Sequence, residues 1–137
     1  MKALVTGGAG FIGSAVVPAL VREGYEVFVL DNLSFGNRDF IDIDDEHFFL
    51  IDIRNGDEVD KLMKRVSPDV LVHLAAIHFI PYCNQHPFEA SDINIRGTIN
   101  VINAAKGVSS LTKFFFASTA AVYPISDDAV SEVHQVK

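Results

Sequence analysis

The sequence contains little of several features that would define a specialised class of protein. Cys83 is the single cysteine among 137 residues, which excludes an internal disulfide and a zinc site built on paired cysteines. No apolar run reaches the ~18 uncharged residues that a membrane-spanning helix needs. Glycines begin at Gly7, too early for the hydrophobic core of a secretory signal peptide. We therefore expect a cytoplasmic protein that does not bind a membrane.

Basic residues are also scarce, with 11 Lys plus Arg against 18 Asp plus Glu and a formal net charge of −7. This balance argues against a nucleic-acid partner, because such partners are held mainly by positive charge. About half of the residues are apolar (49%), and a chain of this length removes about two-thirds of its unfolded surface from water on folding. We expect one globular domain over residues 1–137.

Short apolar segments alternate with amphipathic ones along the chain. The patterns predict strands at residues 2–6, 26–30, 47–51, 70–75 and 112–117, and helices at 11–23, 57–66 and 92–106. Because strands alternate with helices, we expect an α/β domain of the Rossmann type, with a doubly wound parallel sheet in the order 3-2-1-4-5. The three consecutive phenylalanines at 114–116 are expected to form a buried strand.

A glycine-rich segment joins the first predicted strand to the first helix. Between Thr6 and Gly13 it fits the G-x-G-x-x-G pattern, in which glycines permit a tight turn and a pyrophosphate approaches bare backbone at a helix N-terminus. Asp31 follows at the end of the second strand, where a carboxylate accepts hydrogen bonds from ribose hydroxyls and repels a 2′-phosphate. The sequence therefore predicts NAD rather than NADP, and Arg38 in the next loop is the one residue that could weaken this preference.

Six motifs along the whole chain resemble those of the extended short-chain dehydrogenase/reductase family. They lie at residues 6–13, 31–34, 52–54, 73–76, 94–98 and 118–123. Within that family the chain is most similar to the NAD-dependent sugar epimerases and dehydratases, and among these to the UDP-glucose 4-epimerases.

The resemblance implies a set of cofactor-binding residues. In it, Phe11 and Ile12 cover the pyrophosphate, and the Asp52 carboxylate accepts a hydrogen bond from the adenine amine. Asn94 is a polar anchor near the cofactor. His78 stands where the epimerase pattern can carry Lys, and it either bonds the nicotinamide ribose or is satisfied by backbone groups. The full set is Gly7, Gly10, Phe11, Ile12, Gly13, Asp31, Asn32, Ser34, Asp52, Ile53, Leu74, Ala75, Ala76, His78 and Asn94.

Ser118 and Thr119 are the candidate catalytic residues. Both hydroxyls follow the last predicted strand, where they can hydrogen-bond a sugar oxygen that becomes a ketone, and Thr119 stands at the family's catalytic Ser/Thr position. The alternative is that the two side chains only satisfy backbone groups of the local turn.

The residues after Thr119 favour one reaction over another. Dehydratases of the family carry an acid there, but this chain has Ala120 and Ala121, so the proton donor for loss of water is absent. The resemblance then implies epimerisation, in which hydride passes from a sugar hydroxyl to NAD and returns to the opposite face of the keto sugar. A nucleotide sugar, with UDP as the favoured nucleotide, is the implied substrate.

The sequence departs from the family at its general base. None of the three tyrosines is followed four residues later by Lys, since Tyr25, Tyr82 and Tyr123 precede Val29, His86 and Asp127 at that distance. We expect the chain to be the N-terminal, NAD-binding part of a longer epimerase, without turnover on its own.

The residues leave two alternative functions open. A dehydratase or reductase of the same family is one alternative, and a stand-alone NAD-binding regulatory module is the other. A homodimer is left open, because family dimers use two helices of which one is missing from this sequence. No metal site is expected, because His73, His78 and His86 do not share a helix face.

Overall fold

The computed structural model describes residues 1–123 and 129–133 and contains a five-stranded parallel sheet in the order β3-β2-β1-β4-β5. The strands are β1 (Lys2–Thr6), β2 (Glu26–Asp31), β3 (Phe48–Leu50), β4 (Val70–His73) and β5 (Lys113–Phe116). The predicted Rossmann architecture and strand order are confirmed.

Helices connect the strands, except that a 3₁₀ turn lies between β2 and β3. They are α1 (Gly13–Arg22), α2 (Gly56–Val66), α3 (Ile80–Gln85), α4 (Pro87–Ser91) and α5 (Thr98–Lys106), with 3₁₀ turns at Arg38–Phe40 and Ala120–Val122. A π-helical segment, Asp92–Gly97, leads directly into α5. Among the described residues, no helix is long and apolar enough to cross a membrane.

Helices cover both faces of the central strands. Successive side chains of β1 point to opposite faces, so they belong to two different buried clusters. Leu4 lies in one buried cluster with residues of α2 and α5, such as Met63 and Val101. Ala3 and Val5 lie in the other, with Val17 of α1. Two-sided burial explains why the central strands read as nearly continuous apolar runs.

Three helical features between β4 and β5 were not predicted. The short α3 and α4 lie in a segment interpreted from the sequence as a loop, and each has proline in its first turn, where a missing N–H costs nothing. The predicted single helix over 92–106 begins with a π-helical segment instead. That segment places Gly97 against Ile53, whose Cδ1 would lie 2.5 Å from a Cβ at residue 97.

The strand predicted at 114–116 is present, but the prediction that it is buried is wrong. Phe114, Phe115 and Phe116 are 39%, 57% and 56% exposed. The strand is at the edge of the sheet, paired only with β4 among the described residues, and helices α1, α2 and α5 lie over the central strands instead. Its sequence is apolar enough for burial, but burial also requires a covering element.

Candidate functional site

A single edge of the sheet carries nearly all of the candidate residues. The carboxyl ends of β1, β2, β4 and β5 open onto a cleft of about 530 Å³. Its lining includes both candidate catalytic residues and every predicted cofactor residue except Asn94. Ligands of open α/β sheets bind at this edge, where the strand order reverses.

The glycine loop forms the floor of the cleft with very little free space. Gly7 has φ of +71°, and a Cβ there would lie 2.6 Å from the backbone N of Ala75. A Cβ at Gly13 would lie 2.3 Å from the carbonyl O of Gly8. Its small size therefore serves the fold of the loop itself.

Helix α1 points its N-terminus at the cleft. Within residues 1–123, no side chain caps that terminus and its first turn holds no acid. Phe11 and Ile12, which precede the helix, line the cleft and are 89% and 56% exposed. The partial positive charge of the helix end is thus available to an anion in the cleft.

Asp31 lies at the carboxyl end of β2 and is only 8% exposed. Its Oδ2 accepts a hydrogen bond from the backbone N–H of Ala9 at 3.0 Å, and its Oδ1 accepts one from Leu33 at 2.8 Å. A carboxylate has about four lone-pair sites. Asp31 can therefore hold the glycine loop and still accept hydrogen bonds from a ligand.

Arg38 is turned away from the cleft. Its guanidinium donates to the carbonyl oxygens of Ile41, at 3.1 Å, and Ile43, and lies 4.7 Å from the ring centroid of Phe48. Arg38 does not line the cleft. The one residue that could have weakened the preference for NAD is thus bound elsewhere.

Asp52 is held by two neighbours. Arg54 approaches it through Nη2 at 2.6 Å and Nε at 3.0 Å, and the Nδ2 of Asn32 donates at 3.0 Å. The Arg54 hydrogen bonds lower the pKa of Asp52 to about 2, so the carboxylate is ionised at neutral pH. Asn32 and Ile53 line the cleft beside it.

Asn94 serves the wall of the cleft instead of its interior. Its Oδ1 accepts from the backbone N–H of Ile77 at 2.8 Å, and its Nδ2 donates to the carbonyl of the same residue at 2.8 Å. The oxygen and the nitrogen of the Asn94 side chain therefore both bond to the backbone of Ile77. The next residue, His78, lines the cleft. Asn94 is not among the residues that line the cleft, and its place near the cofactor stays a prediction.

His73 lies beneath the cleft at the end of β4. Its Nδ1 is 2.6 Å from Oγ1 of Thr6 and its Nε2 is 3.0 Å from Oγ1 of Thr98. Thr6 also accepts from the backbone N–H of Ala75 at 3.4 Å, so every group is satisfied when Thr6 donates to Nδ1 and Nε2–H donates to Thr98. Burial lowers the pKa of His73 to about 4, which keeps the ring neutral.

The two candidate catalytic hydroxyls line the end of the cleft beyond β5. Thr119 Oγ1 accepts a hydrogen bond from the backbone N–H of Ala121 at 3.1 Å. The turn contact foreseen in the alternative interpretation is therefore present. It uses only the oxygen of Thr119 as an acceptor, and the hydroxyl hydrogen can still be donated to a ligand.

Sequence reasoning missed several apolar residues of the cleft. They are Leu30, Phe35, Ile51, Ile77, Phe79, Ile93 and Ala117. All seven directly precede or follow a predicted site residue, and that adjacency was the available signal. Phe35 stands out because it is aromatic and 58% exposed on a loop.

Comparison with known proteins agrees with this geometry. Residues 3–136 match the NAD dependent epimerase/dehydratase family. A UDP-glucose 4-epimerase of Lactobacillus helveticus is 36% identical over 93% of this chain and 40% of its own length. One of Streptomyces lividans is 39% identical over 89% of the chain and 37% of its own length.

A solved structure also resembles the fold of this chain. The crystal structure of Thermus thermophilus UDP-glucose 4-epimerase in complex with NAD has a TM-score of 0.87 and 31% identity, over 100% of this chain and 44% of that one. The chain thus spans about two fifths of the length of the relatives described. Since the family match covers almost every residue and the sheet, glycine loop and cleft agree with it, the chain belongs to the NAD dependent epimerase/dehydratase family.

Proposed function

We propose that the cleft binds NAD and that the chain is the NAD-binding part of a nucleotide-sugar epimerase acting on a UDP-sugar. The observation that carries the proposal is the joining of Asp31 to the glycine loop through Ala9. One contact fixes the two elements that would hold the adenosine ribose and the pyrophosphate.

The pyrophosphate is assigned to the N-terminus of α1. There glycines without side chains would let phosphate oxygens approach the backbone, and the helix end supplies partial positive charge. Phe11 and Ile12 would cover the phosphates from the solvent side.

The adenosine is assigned to the end of the cleft that Asp31, Asn32, Ser34, Asp52 and Ile53 line. Asp31 would accept from the ribose hydroxyls and repel a 2′-phosphate. Because Arg38 is bound to two backbone carbonyls away from the cleft, no compensating cation comes from this loop residue. NAD should therefore bind much more tightly than NADP.

The nicotinamide is assigned to the opposite end, where Leu74, Ala75, Ala76 and His78 line the cleft near Ser118 and Thr119. NAD supplies hydride acceptance when bound. Thr119 would donate its hydroxyl hydrogen to the sugar oxygen and so orient it beside the cofactor.

Epimerisation is favoured over dehydration because Ala120 and Ala121 supply no acid after Thr119. The support from comparison is that the similar proteins described above are UDP-glucose 4-epimerases. The general base would be contributed by residues other than the three tyrosines of this chain, none of which precedes a lysine by four positions.

The experiment has two parts. The chain should bind NAD in a calorimetric titration, and the complete protein should interconvert UDP-glucose and UDP-galactose without consuming NAD. Binding without any conversion of UDP-sugars by the complete protein would leave NAD binding standing and overturn the epimerase assignment.

A further inference from the structure

An aromatic contact involves Phe35, the cleft residue that follows Ser34 at the end assigned to adenosine. Phe35, on the loop after β2, meets Tyr82 of α3 with ring centroids 5.3 Å apart and planes at 82°. This edge-to-face geometry is the favourable one for two aromatic rings. Phe35 lines the cleft, whereas Tyr82 stands outside its lining.

The loop that carries Phe35 is fixed on both sides of this residue. Before it, Asp31 accepts from Leu33. After it, the backbone N–H of Asn37 donates to the carbonyl of Ala9 at 3.0 Å, and a Cβ on Gly36 would lie 2.8 Å from that same oxygen. Phe35 is therefore presented to the cleft from a loop attached to the glycine loop.

Tyr82 is held by contacts of its own. Its ring packs against the core cluster formed with α2 and α5, and its hydroxyl donates to Glu89 at 2.8 Å. Glu89 in turn lies 3.6 Å from Arg54, which pairs with Asp52 inside the cleft. The ring that Phe35 meets is thus held in place by a chain of contacts that ends at the cleft.

We propose that Phe35 contacts the adenine of the bound dinucleotide and that Tyr82 is the positioning residue that holds Phe35 in place for this contact. The inference rests on the proposed NAD site. Phe35 is otherwise 58% exposed, and covering such a ring with a flat base is favourable because stacking buries two apolar faces. Tyr82 restricts where the ring can move and so reduces the ordering cost of binding.

The test is a calorimetric titration of the chain with ADP-ribose and with AMP, two ligands that carry adenosine but no nicotinamide. The Phe35→Ala substitution should weaken the binding of both ligands about tenfold, as expected for loss of one base–aromatic contact. Tyr82→Ala should weaken both about threefold to tenfold, and Tyr82→Phe, which keeps the ring, should regain most of that loss. Phe88→Ala is the control, because Phe88 is 91% exposed and outside the cleft lining.

The double variant distinguishes positioning from a general structural role. If Tyr82 acts through Phe35, the Phe35→Ala/Tyr82→Ala chain should bind no more weakly than Phe35→Ala alone. Phe35→Ala binding within twofold of the unmodified chain would overturn the adenine contact, and fully additive losses would overturn the role of Tyr82. If Tyr82→Ala fails to fold, Tyr82→Leu takes its place. Failure of the unmodified chain to bind either ligand or NAD would overturn the proposed function together with this inference.

Discussion

The carboxylate of Asp31 and the backbone N–H of Ala9 lie 3.0 Å apart, which joins the end of β2 to the middle of the glycine loop. A second backbone contact, from Asn37 to the carbonyl of Ala9, joins the same loops. Both backbone polar groups of one buried alanine therefore fix the glycine loop, proposed to bind the pyrophosphate, relative to the loop after β2, proposed to bind the ribose.

Asp31→Ala should weaken NADH binding and relax discrimination against NADPH. Hydrogen bonds to a charged group contribute about 1.5–3 kcal/mol, so the affinity for NADH should fall roughly tenfold to a hundredfold. The ratio of the two dissociation constants, measured by nicotinamide fluorescence, checks this. Asp42→Ala, an exposed acid outside the cleft lining, is the control. Unchanged affinities for both cofactors would remove Asp31 from the site.

Gly7→Ala and Gly24→Ala form a matched pair. Both residues have positive φ, +71° and +82°, but a Cβ at Gly7 meets backbone at 2.6 Å whereas Gly24 faces open space. Gly24→Ala should lower the free energy of unfolding by about 1–2 kcal/mol from backbone strain alone. Gly7→Ala should lower it further and prevent NADH binding. Urea unfolding curves measure both, and equal losses would contradict the close approach of Gly7 to Ala75.

Lowering the pH from 7 to 5 should destabilise the chain through His73. Its pKa falls from 6.5 to about 4 on folding, so the unfolded chain binds more protons between these values and stability drops as pH decreases. The loss between pH 7 and 5 is about 2 kcal/mol at 1.36 kcal/mol per pKa unit. This loss of stability should be largely absent from the His73→Asn variant.

The comparison of the two chains separates the effect of His73 from that of His47, a second described histidine whose pKa is shifted. His47 has its pKa raised by a hydrogen bond to Asp44, so its contribution is present below pH 6.5 and lost as pH rises through the higher folded value. That contribution has the opposite sign and is common to both chains. Equal pH dependence in the two would show that His73 is not the source.

Asn94→Leu should destabilise the chain by about 1–3 kcal/mol, because it leaves the N–H and carbonyl of Ile77 without their partner. It should also weaken NADH binding by allowing the loop beside His78 to move. Asn103→Leu on α5 is a suitable control, since Asn103 is exposed. Loss of binding with unchanged stability would instead indicate direct contact between Asn94 and the cofactor.

The strands, their order and the cleft could be predicted because each depends on local patterns. Two-sided apolar runs marked the buried central strands β1, β2 and β4, and the order 3-2-1-4-5 brings Gly7, Asp31 and Thr119 to one edge whatever the details of packing. These features were confirmed as structure. The assigned roles of the individual residues stay predictions.

Other features depend on contacts that a linear pattern does not show. The exposure of Phe115 follows from its place on an edge strand, and the role of Asn94 follows from a π-helical segment that turns its amide toward Ile77. Phe35 and Tyr82 are 47 positions apart, and neither lies in a recognisable motif. Their contact required the fold.

The most direct test of the central claim is a crystal structure of the chain grown with NAD. The account predicts the pyrophosphate at the N-terminus of α1, the adenosine ribose within hydrogen-bonding distance of the Asp31 carboxylate, and the nicotinamide near Thr119. Density for NAD elsewhere on the chain, or a dinucleotide bound in the cleft in the reverse direction, would contradict it.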